Sequence, residues 1–231
     1  AAGRGGTQPT RPGEGRLDAK TLAVLGGTLL SWSSAFAGIG AGLRAYSPGH
    51  LVLFRFLVAA SALLLYAVPA RTPLPRRRDL PALFLLALLG FTVYHIALVY
   101  GQVTVDAGTT ALLIATSPAI TALVARIILR ERLKPLGWAG IAISFVGAAL
   151  IAFGKSDGMR FAPGALLILL SAFTTSLYNV LQKPYLRRYR ALDLATYALC
   201  LGTLPMLAFL PGLATAIATA PLSATLAIVY L

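Results

Sequence analysis

Two apolar segments, each long enough to cross a lipid bilayer, follow one another between residues 107 and 153. A short basic turn with the sequence Arg130-Glu131-Arg132-Leu133-Lys134-Pro135 separates them. A helix of about 20 apolar residues matches the hydrocarbon thickness of a bilayer. This helical hairpin predicts a membrane protein, and it constrains the fold more than any other part of the sequence.

Similar apolar runs recur along the chain, which is 58% hydrophobic. The hairpin supplies the fourth and fifth predicted spans, and the others cover residues 21–43, 51–70, 80–100, 165–182 and 191–210. A further run from Pro221 to Leu231 is too short to cross a bilayer. The pattern predicts an all-α polytopic membrane protein with lipid as its surroundings.

The two ends of the chain differ from the spans between them. Residues 1–20 are rich in Gly, Pro and Arg and lack periodicity, which predicts a disordered N-terminal segment. A basic segment before an apolar run is also typical of a signal peptide, but the length of the run and the spans after it favour an uncleaved first span. Because the chain starts without Met and ends inside an apolar run, we expect it to be a fragment.

The net charge of +13 is concentrated in short segments between the spans. This placement orients membrane helices, whereas a nucleic-acid surface would need a basic face on a soluble domain. With the N-terminus in the cytoplasm, the outer loops contain only Arg44, Lys155 and Arg160. The inner segments then contain fifteen basic residues, namely Arg4, Arg11, Arg16, Lys20, Arg71, Arg76, Arg77, Arg78, Arg130, Arg132, Lys134, Lys183, Arg187, Arg188 and Arg190. We therefore expect a cytoplasmic N-terminus and no nucleic-acid partner.

Residues that support metal or covalent chemistry are scarce. Cys200 is the only cysteine, which excludes an intramolecular disulfide and a multi-cysteine metal site. The histidines are His50 and His95, and no acidic residue lies at the centre of a predicted span. The sequence therefore predicts no metal site, no cofactor and no catalytic residue.

A weak internal repeat links the first and sixth spans. Leu29-Leu30-Ser31 and Leu169-Leu170-Ser171 open the polar parts of these spans at an offset of 140 residues. The first copy contains five spans, and an odd number inverts the second copy in the membrane. We therefore predict a first five-helix repeat over residues 21–154 and the start of a truncated second repeat over residues 161–231. Two complete repeats would make a ten-helix transporter fold.

The sixth span carries the strongest candidates for a binding site. Thr175, Tyr178 and Gln182 continue a polar stripe that begins at Ser171, and Asn179 lies beside it. Water is absent from the hydrocarbon region, so large polar side chains there need a reason. This stripe favours a water-filled cavity over helix packing.

The first span carries a stripe of smaller residues. Its members lie on one helical face and are Gly27, Ser31, Ser34, Gly38 and Gly42. Close helix packing and a cavity wall both explain such a stripe. The same two interpretations apply to Trp32, as a core aromatic or as a cavity wall.

The third and fourth spans add further candidates. Tyr94 and His95 lie in the third span, and His95 is either a proton-coupling group or a hydrogen-bonded structural histidine. Ser117 lies on a polar face of the fourth span and precedes Pro118. Proline removes an intrahelical hydrogen bond, so we expect Pro118 to bend this span and act as a hinge. The freed carbonyl is expected to face a cavity or to accept a hydrogen bond from a neighbouring hydroxyl.

Arg55 is a charged residue well inside the second span, more than one helical turn from its outer end. Three interpretations stand for its side chain: it snorkels outward, it pairs with Asp106, or it faces a cavity and attracts anionic substrate groups. Asp106 is also well placed to cap the fourth helix.

The fourth and fifth spans carry a family resemblance. Residues 117–123 (SPAITAL), residues 130–133 (RERL) and residues 137–140 (GWAG) followed by Gly147 resemble the end of the first EamA-like domain of the drug/metabolite transporter superfamily. The glycines of the fifth span, Gly137, Gly140 and Gly147, are expected to form a packing face.

The remaining spans extend the resemblance over about residues 22–231. Residues 31–36 (SWSSAF) and 53–56 (LFRF) are similar to the beginning of the domain. The resemblance implies ten helices in two inverted repeats around a cavity lined by the first, third, fourth, sixth, eighth and ninth helices. It also implies export of small metabolites such as amino acids, and a place in the bacterial inner membrane.

The leading functional hypothesis is a secondary transporter that exports small metabolites by alternating access. A membrane scaffold without transport and an intramembrane enzyme are the alternatives, although an enzyme would need convergent catalytic groups that the sequence lacks. The candidate substrate-binding residues are Trp32, Ser34, Tyr94, His95, Ser117, Thr175, Tyr178, Asn179 and Gln182.

Overall fold

A computed structural model describes residues 19–70, 72–130, 133–154 and 163–231. The described residues form helices and turns without a β-strand. Several predictions concern residues outside these ranges, namely the predicted disorder of residues 1–18, Arg71, the hinge residues Glu131 and Arg132, and the loop residues Lys155 and Arg160. The predicted disorder was wrong for Ala19 and Lys20, which begin the first helix.

The helices follow the predicted spans closely. Their bounds are α1 Ala19–Gly42, α2 Pro48–Ala67, α3 Leu80–Ala87, α4 Tyr94–Gly101, α5 Ala107–Ile114, α6 Ser117–Ile128, α7 Pro135–Gly154, α8 Pro163–Leu181, α9 Ala191–Met206, α10 Leu213–Thr219 and α11 Leu222–Tyr230. A π-helical segment, Leu88–Val93, joins α3 to α4. Short 3₁₀ turns cover Arg77–Asp79, Tyr185–Arg187 and Leu207–Phe209.

Six continuous helical stretches in the described residues are long and apolar enough to cross a membrane. They are Thr21–Gly42, Pro48–Ala67, Arg77–Gly101, Ala107–Ile128, Pro163–Arg187 and Ala191–Phe209. At the position of the predicted fifth span, α7 is a further apolar helix of 20 residues. The prediction of an all-α integral membrane protein is confirmed.

Several predicted boundaries were wrong. The second helix begins at Pro48 rather than Leu51, because Ser47 caps it by accepting a hydrogen bond from the His50 N–H at 3.3 Å. The unpredicted helix α10 lies between the predicted seventh span and α11. The predicted cap of the fourth span is confirmed, since Asp106 Oδ1 accepts from the Thr109 N–H at 2.9 Å.

The described residues divide after Ser34 into two units. The first unit contains the greater part of α1. Two of its hydroxyl groups, those of Thr28 and Ser34, bond to the backbone of the same helix, as in the 2.8 Å hydrogen bond from Thr28 Oγ1 to the Val24 carbonyl. This is the usual way for a hydroxyl to be satisfied within a membrane helix.

The second unit is built around α2, α4, α8 and α9. The helix α2 packs against α4, α9 and α11, and its side chains Leu51 and Leu53 are fully buried together with Met206 of α9. The helix α8 packs against α4, α5, α6 and the π-helical segment. The fold thus places α8 beside both the third and the fourth span.

Two glycines allow the third span to meet the start of α8. A Cβ atom at Gly164 would lie 2.6 Å from the Gly101 carbonyl oxygen, and one at Gly101 would lie 2.8 Å from the Gly164 carbonyl oxygen. Both distances are shorter than any normal carbon–oxygen contact, so only glycine permits this crossing.

A polar clasp joins the segment before the third span to the segment before α9. Asp79 is 6% exposed, accepts a 2.7 Å hydrogen bond from the Tyr189 hydroxyl, and lies 3.5 Å from the Arg188 guanidinium. Beside it, the Tyr197 hydroxyl donates to the Pro73 carbonyl. We refer to Asp79, Arg188 and Tyr189 as the clasp.

The predicted packing face on α7 was wrong for the described part of the chain. A Cβ atom at Gly140 or Gly147 would have no neighbour within 4 Å, and one at Gly137 would meet only Leu133. The helix α7 packs against α5 and α6, and its glycines do not lie at that contact.

Candidate functional site

The third span contains a π-helical segment in its middle. Leu88–Val93 interrupts the α-helical hydrogen bonding between α3 and α4, and it is held between α8 and α9. On the α9 side, the buried Thr92 hydroxyl donates to the Gly202 carbonyl at 2.8 Å. Single π-helical turns inside α-helices are frequent at functional sites.

On the α8 side of this segment, the Tyr178 ring lies directly against the backbone of Gly90. A Cβ atom at Gly90 would lie 2.5 Å from both Cγ and Cδ2 of Tyr178, well inside van der Waals contact. The absence of a side chain at Gly90 therefore allows Tyr178 to enter the site.

The aromatic cluster consists of Phe56, Phe91, Tyr94, His95 and Tyr178. Phe91 contacts Tyr178 edge to face with ring centroids 5.6 Å apart, and it stacks on His95 at 6.4 Å. His95 also meets Phe56 at 4.7 Å and Tyr94 at 4.4 Å, both edge to face. Such pairs stabilise one arrangement of the rings by about 0.5–1.5 kcal/mol each beyond their burial. The cluster brings three predicted site residues, Tyr94, His95 and Tyr178, into one place.

The hydrogen bond of His95 fixes its tautomer. Nδ1 lies 2.9 Å from the Phe91 carbonyl oxygen, one turn earlier in the third span. A carbonyl oxygen only accepts, so Nδ1 carries the proton, and Nε2 of the neutral ring keeps a lone pair. Among the described residues, none donates a hydrogen bond to Nε2. His95 thus forms a hydrogen bond within its own helix through Nδ1, and Nε2 remains available to accept a hydrogen bond.

The fourth span is broken at Ala115 and Thr116, between α5 and α6. Pro118 lies in the first turn of α6 and has no N–H to donate to the Ile114 carbonyl. The Ser117 hydroxyl donates to that carbonyl at 2.7 Å, as expected for a freed group inside a membrane. The break is confirmed, and its use as a hinge stays a prediction.

The helix α8 lies against this break. Ser176 Oγ is 3.0 Å from the Ser117 carbonyl oxygen and 2.7 Å from the Ala172 carbonyl oxygen within its own helix. Thr175, the neighbouring predicted site residue, is half-buried. The fourth and sixth spans therefore meet through hydroxyl and carbonyl groups at the level of Ser117.

The end of α8 differs from its middle. The Gln182 side-chain amide donates to Asn179 Oδ1 at 3.2 Å, and Asn179 is exposed. These two predicted site residues bond to each other, and they do not join the aromatic cluster.

Trp32 and Ser34 belong to the first unit. The Ser34 hydroxyl is 2.7 Å from the Leu30 carbonyl oxygen and 3.0 Å from that of Ser31, so it is bonded within α1. Their assignment to the site stays a prediction.

The pair that the sequence suggested between Arg55 and Asp106 is not formed among the described residues. Asp106 is engaged at the start of α5 instead, where it accepts hydrogen bonds from Thr109. Within the described ranges, no cluster of three or more His, Cys, Asp or Glu residues has the geometry to hold a metal ion.

Sequence reasoning did not assign Gly90, Phe56 or Ser176 to the site. Gly90 is a glycine in the middle of an apolar run, a signal of close backbone approach that was available. Ser176 lies next to the predicted stripe rather than on it, and Phe56 is apolar. The sequence alone gave no reason to separate these two from ordinary packing residues.

Comparisons with known proteins agree with this architecture. Residues 20–153 match the sequence profile of the EamA-like transporter family. The chain is 47% identical over 200 residues to "Uncharacterized transporter YdfC" of Bacillus subtilis, a match covering 87% of this chain and 65% of that protein. It is 39% identical over 204 residues to "Probable terminal-alkyne amino-acid exporter" of Streptantibioticus cattleyicolor, covering 88% of this chain and 68% of that protein.

A more distant relative, "Uncharacterized transporter" of Archaeoglobus fulgidus, is 29% identical over 192 residues, which cover 83% of this chain and 68% of the relative. The chain thus spans about two thirds of the length of the curated relatives it matches. No solved structure matches it.

Proposed function

This chain belongs to the EamA-like transporter family, and we propose that it is a secondary transporter that exports small metabolites such as amino acids by alternating access. The similarity to the relative named "Probable terminal-alkyne amino-acid exporter" supports this substrate class. The observation that carries the proposal is the aromatic cluster at the π-helical segment, beside a broken fourth span.

The architecture of the complete protein is part of the proposal. It has ten helices in two inverted five-helix repeats, the first over residues 21–154 and the second starting at residue 161. The relatives extend beyond the matched region, which leaves room for the remaining helices. The clustering of Lys and Arg between alternate spans supports a cytoplasmic N-terminus, and the bacterial relatives support the inner membrane.

The substrate site of this proposal is centred on Tyr94, His95 and Tyr178. Their rings offer apolar faces, and they also offer two hydroxyl groups and the lone pair of His95 Nε2, a combination suited to a small amphipathic molecule. Ser117 and Thr175 extend the site along the contact of α6 with α8. Asn179 and Gln182, at the end of α8, are assigned to a part of the pathway away from these rings. Trp32 and Ser34 of α1 remain candidate substrate-binding residues.

In alternating access, one group of helices rocks or gates against another, and a helix that can bend assists such a movement. The break before Pro118 is suited to this role, because the Ile114 carbonyl is bonded by a side chain rather than by the helical backbone. A hydroxyl can keep such a bond while the helix axis turns. We therefore assign the hinge to Pro118.

Transport by inside-out vesicles containing the full-length protein tests the proposal. Vesicles should accumulate at least one amino acid from a panel that includes propargylglycine, a terminal-alkyne amino acid, and its saturated counterpart norvaline. A protein that moves no amino acid or related metabolite across a broad panel would contradict the proposed function.

A triple variant separates a transporter from a scaffold. Tyr178→Phe, Asn179→Ala and Gln182→Ala together should abolish most of the flux while leaving membrane insertion unchanged. Phe173→Leu, at an exposed position of the same helix, is the matched control and should transport normally. Equal flux in the triple variant and the control would argue for a site elsewhere.

A further inference from the structure

Arg55 is a charged side chain inside the membrane-spanning part of α2. Seven residues separate it from Pro48 and twelve from Ala67, so it lies about 10 Å and 18 Å from the two ends of the helix. The adjacent Phe56 side chain is buried in the core, and Arg55 itself is half-buried. Its charge therefore lies inside the span, away from both of its ends.

The neighbours of Arg55 on α4 do not neutralise it. Its charge interacts electrostatically with Tyr94 and His95, which belong to the aromatic cluster. Tyrosine and histidine side chains are not anionic at neutral pH. Phe56, the residue after Arg55, contacts His95 of the aromatic cluster at 4.7 Å, and α2 packs against α4. Arg55 therefore belongs to the helix segment beside the proposed substrate site, and that site supplies no negative charge.

The acidic residues of the described ranges serve other sites. Asp79 belongs to the clasp with Arg188, Asp106 caps α5, and Asp193 lies in the first turn of α9. Among the residues that the structure describes, none forms an ion pair or a hydrogen bond with the Arg55 side chain. A cation without a counter-ion inside a membrane is costly, and residues of this kind usually serve transport or binding.

The chemistry of the two polar groups indicates their ligand. The planar guanidinium of arginine matches a carboxylate with two parallel hydrogen bonds. The lone pair of His95 Nε2 accepts a hydrogen bond from an ammonium group. An amino acid carries both a carboxylate and an ammonium group on one carbon atom, so a single small molecule satisfies both residues.

We propose that Arg55 binds the carboxylate of the substrate and that His95 Nε2 accepts a hydrogen bond from its ammonium group. This inference rests on the proposed function and adds to it the recognition of a zwitterion. The apolar rings around the two groups then receive the side chain of the amino acid.

The experiment compares an amino acid with a matched molecule that lacks the carboxylate. Binding of norvaline and of norvalinamide to the full-length protein in nanodiscs is measured by calorimetry, and transport of both is measured in inside-out vesicles. The wild type should bind norvaline at least tenfold more tightly than its amide, equivalent to about 1.4 kcal/mol. Arg55→Gln should reduce the preference to less than threefold by weakening norvaline alone.

Two further variants keep the result interpretable. Arg44→Gln removes an exposed positive charge from the loop before α2 and should keep the full preference for norvaline. Arg55→Lys keeps a positive charge in the span but cannot bind a carboxylate in the same bidentate way, so the preference should fall to an intermediate value. The lysine variant also serves if the glutamine variant does not insert.

The outcomes distinguish the inference from the proposed function. An undiminished preference in both Arg55 variants would mean that the guanidinium extends to lipid phosphates or pairs elsewhere, and it would overturn the inference. Equal weakening of norvaline and its amide would assign Arg55 a structural role and overturn it as well. If the wild type transports amino acids but does not prefer them over amides, only this inference fails. If it moves neither, the proposed function fails.

Discussion

A single methyl group added at Gly90 is a direct test of the aromatic cluster. The Cβ atom of Gly90→Ala would lie 2.5 Å from two atoms of the Tyr178 ring, whereas carbon atoms in contact prefer about 3.5–4.0 Å. The ring or the π-helical segment must therefore move by about 1 Å. Because Phe91 packs on Tyr178 and also on His95, the displacement reaches the proposed site.

Two opposing effects set the change in the free energy of unfolding that Gly90→Ala causes. Overpacking a core position costs about 1–3 kcal/mol. Replacing glycine by alanine in a helix contributes about 0.5–1 kcal/mol of stability in the other direction. We expect the free energy of unfolding to fall by about 1 kcal/mol, and the flux to fall more than this loss of stability explains.

The assay is a double-mutant cycle with Tyr178→Ala, followed by thermal unfolding in detergent and by transport in vesicles. In the Tyr178→Ala background the clash is absent, so Gly90→Ala should no longer destabilise the protein, and the coupling should reach about 1–2 kcal/mol. Gly140→Ala is the matched control, because a Cβ atom there has no neighbour within 4 Å among the described residues. Equal stability and flux in Gly90→Ala and Gly140→Ala would refute the reasoning.

Two other substitutions test the clasp and the hinge. Tyr189→Phe removes the hydroxyl that donates to buried Asp79, so the free energy of unfolding should fall by about 1–3 kcal/mol. The control Tyr66→Phe, at an exposed position, should not change the free energy of unfolding. Equal thermal unfolding of the two variants would contradict the role of the clasp. Pro118→Ala restores an N–H for the Ile114 carbonyl and lets α5 and α6 join, so flux should fall roughly tenfold, equivalent to about 1.4 kcal/mol on the barrier, with no loss of stability. Pro81→Ala, at the start of α3, should change neither the flux nor the stability. Normal flux in Pro118→Ala would contradict the assignment of the hinge to Pro118.

The features that the sequence predicted well depend on neighbours along the chain. The spans follow from runs of apolar residues, and the break in the fourth span follows from Pro118. The cap follows from Asp106, which accepts a hydrogen bond from the N–H three residues later. Even the fate of the Ile114 carbonyl was accessible, because a hydroxyl lies next to the proline. Each of these needs only local geometry.

The features that the sequence did not predict depend on contacts between distant segments. The π-helical segment Leu88–Val93 has an ordinary apolar sequence, and its position depends on Tyr178 from α8 and on Gly202 from α9. The contact of Ser176 with the Ser117 carbonyl likewise joins residues 59 positions apart in the chain. Helical spacing places side chains on one face of a helix, but it does not say what that face meets.

The two irregular segments, in the third and fourth spans, share one neighbour. The π-helical segment of the third span and the broken fourth span both pack against α8, through Tyr178 and Ser176 respectively. Irregular backbone is tolerated at membrane depth only where protein or a water-filled cavity covers it. In the proposed architecture α8 is the first helix of the second repeat, so its movement would act on both irregular segments at once. The contact of α8 with these segments is thus the place where alternating access and substrate recognition would be coupled.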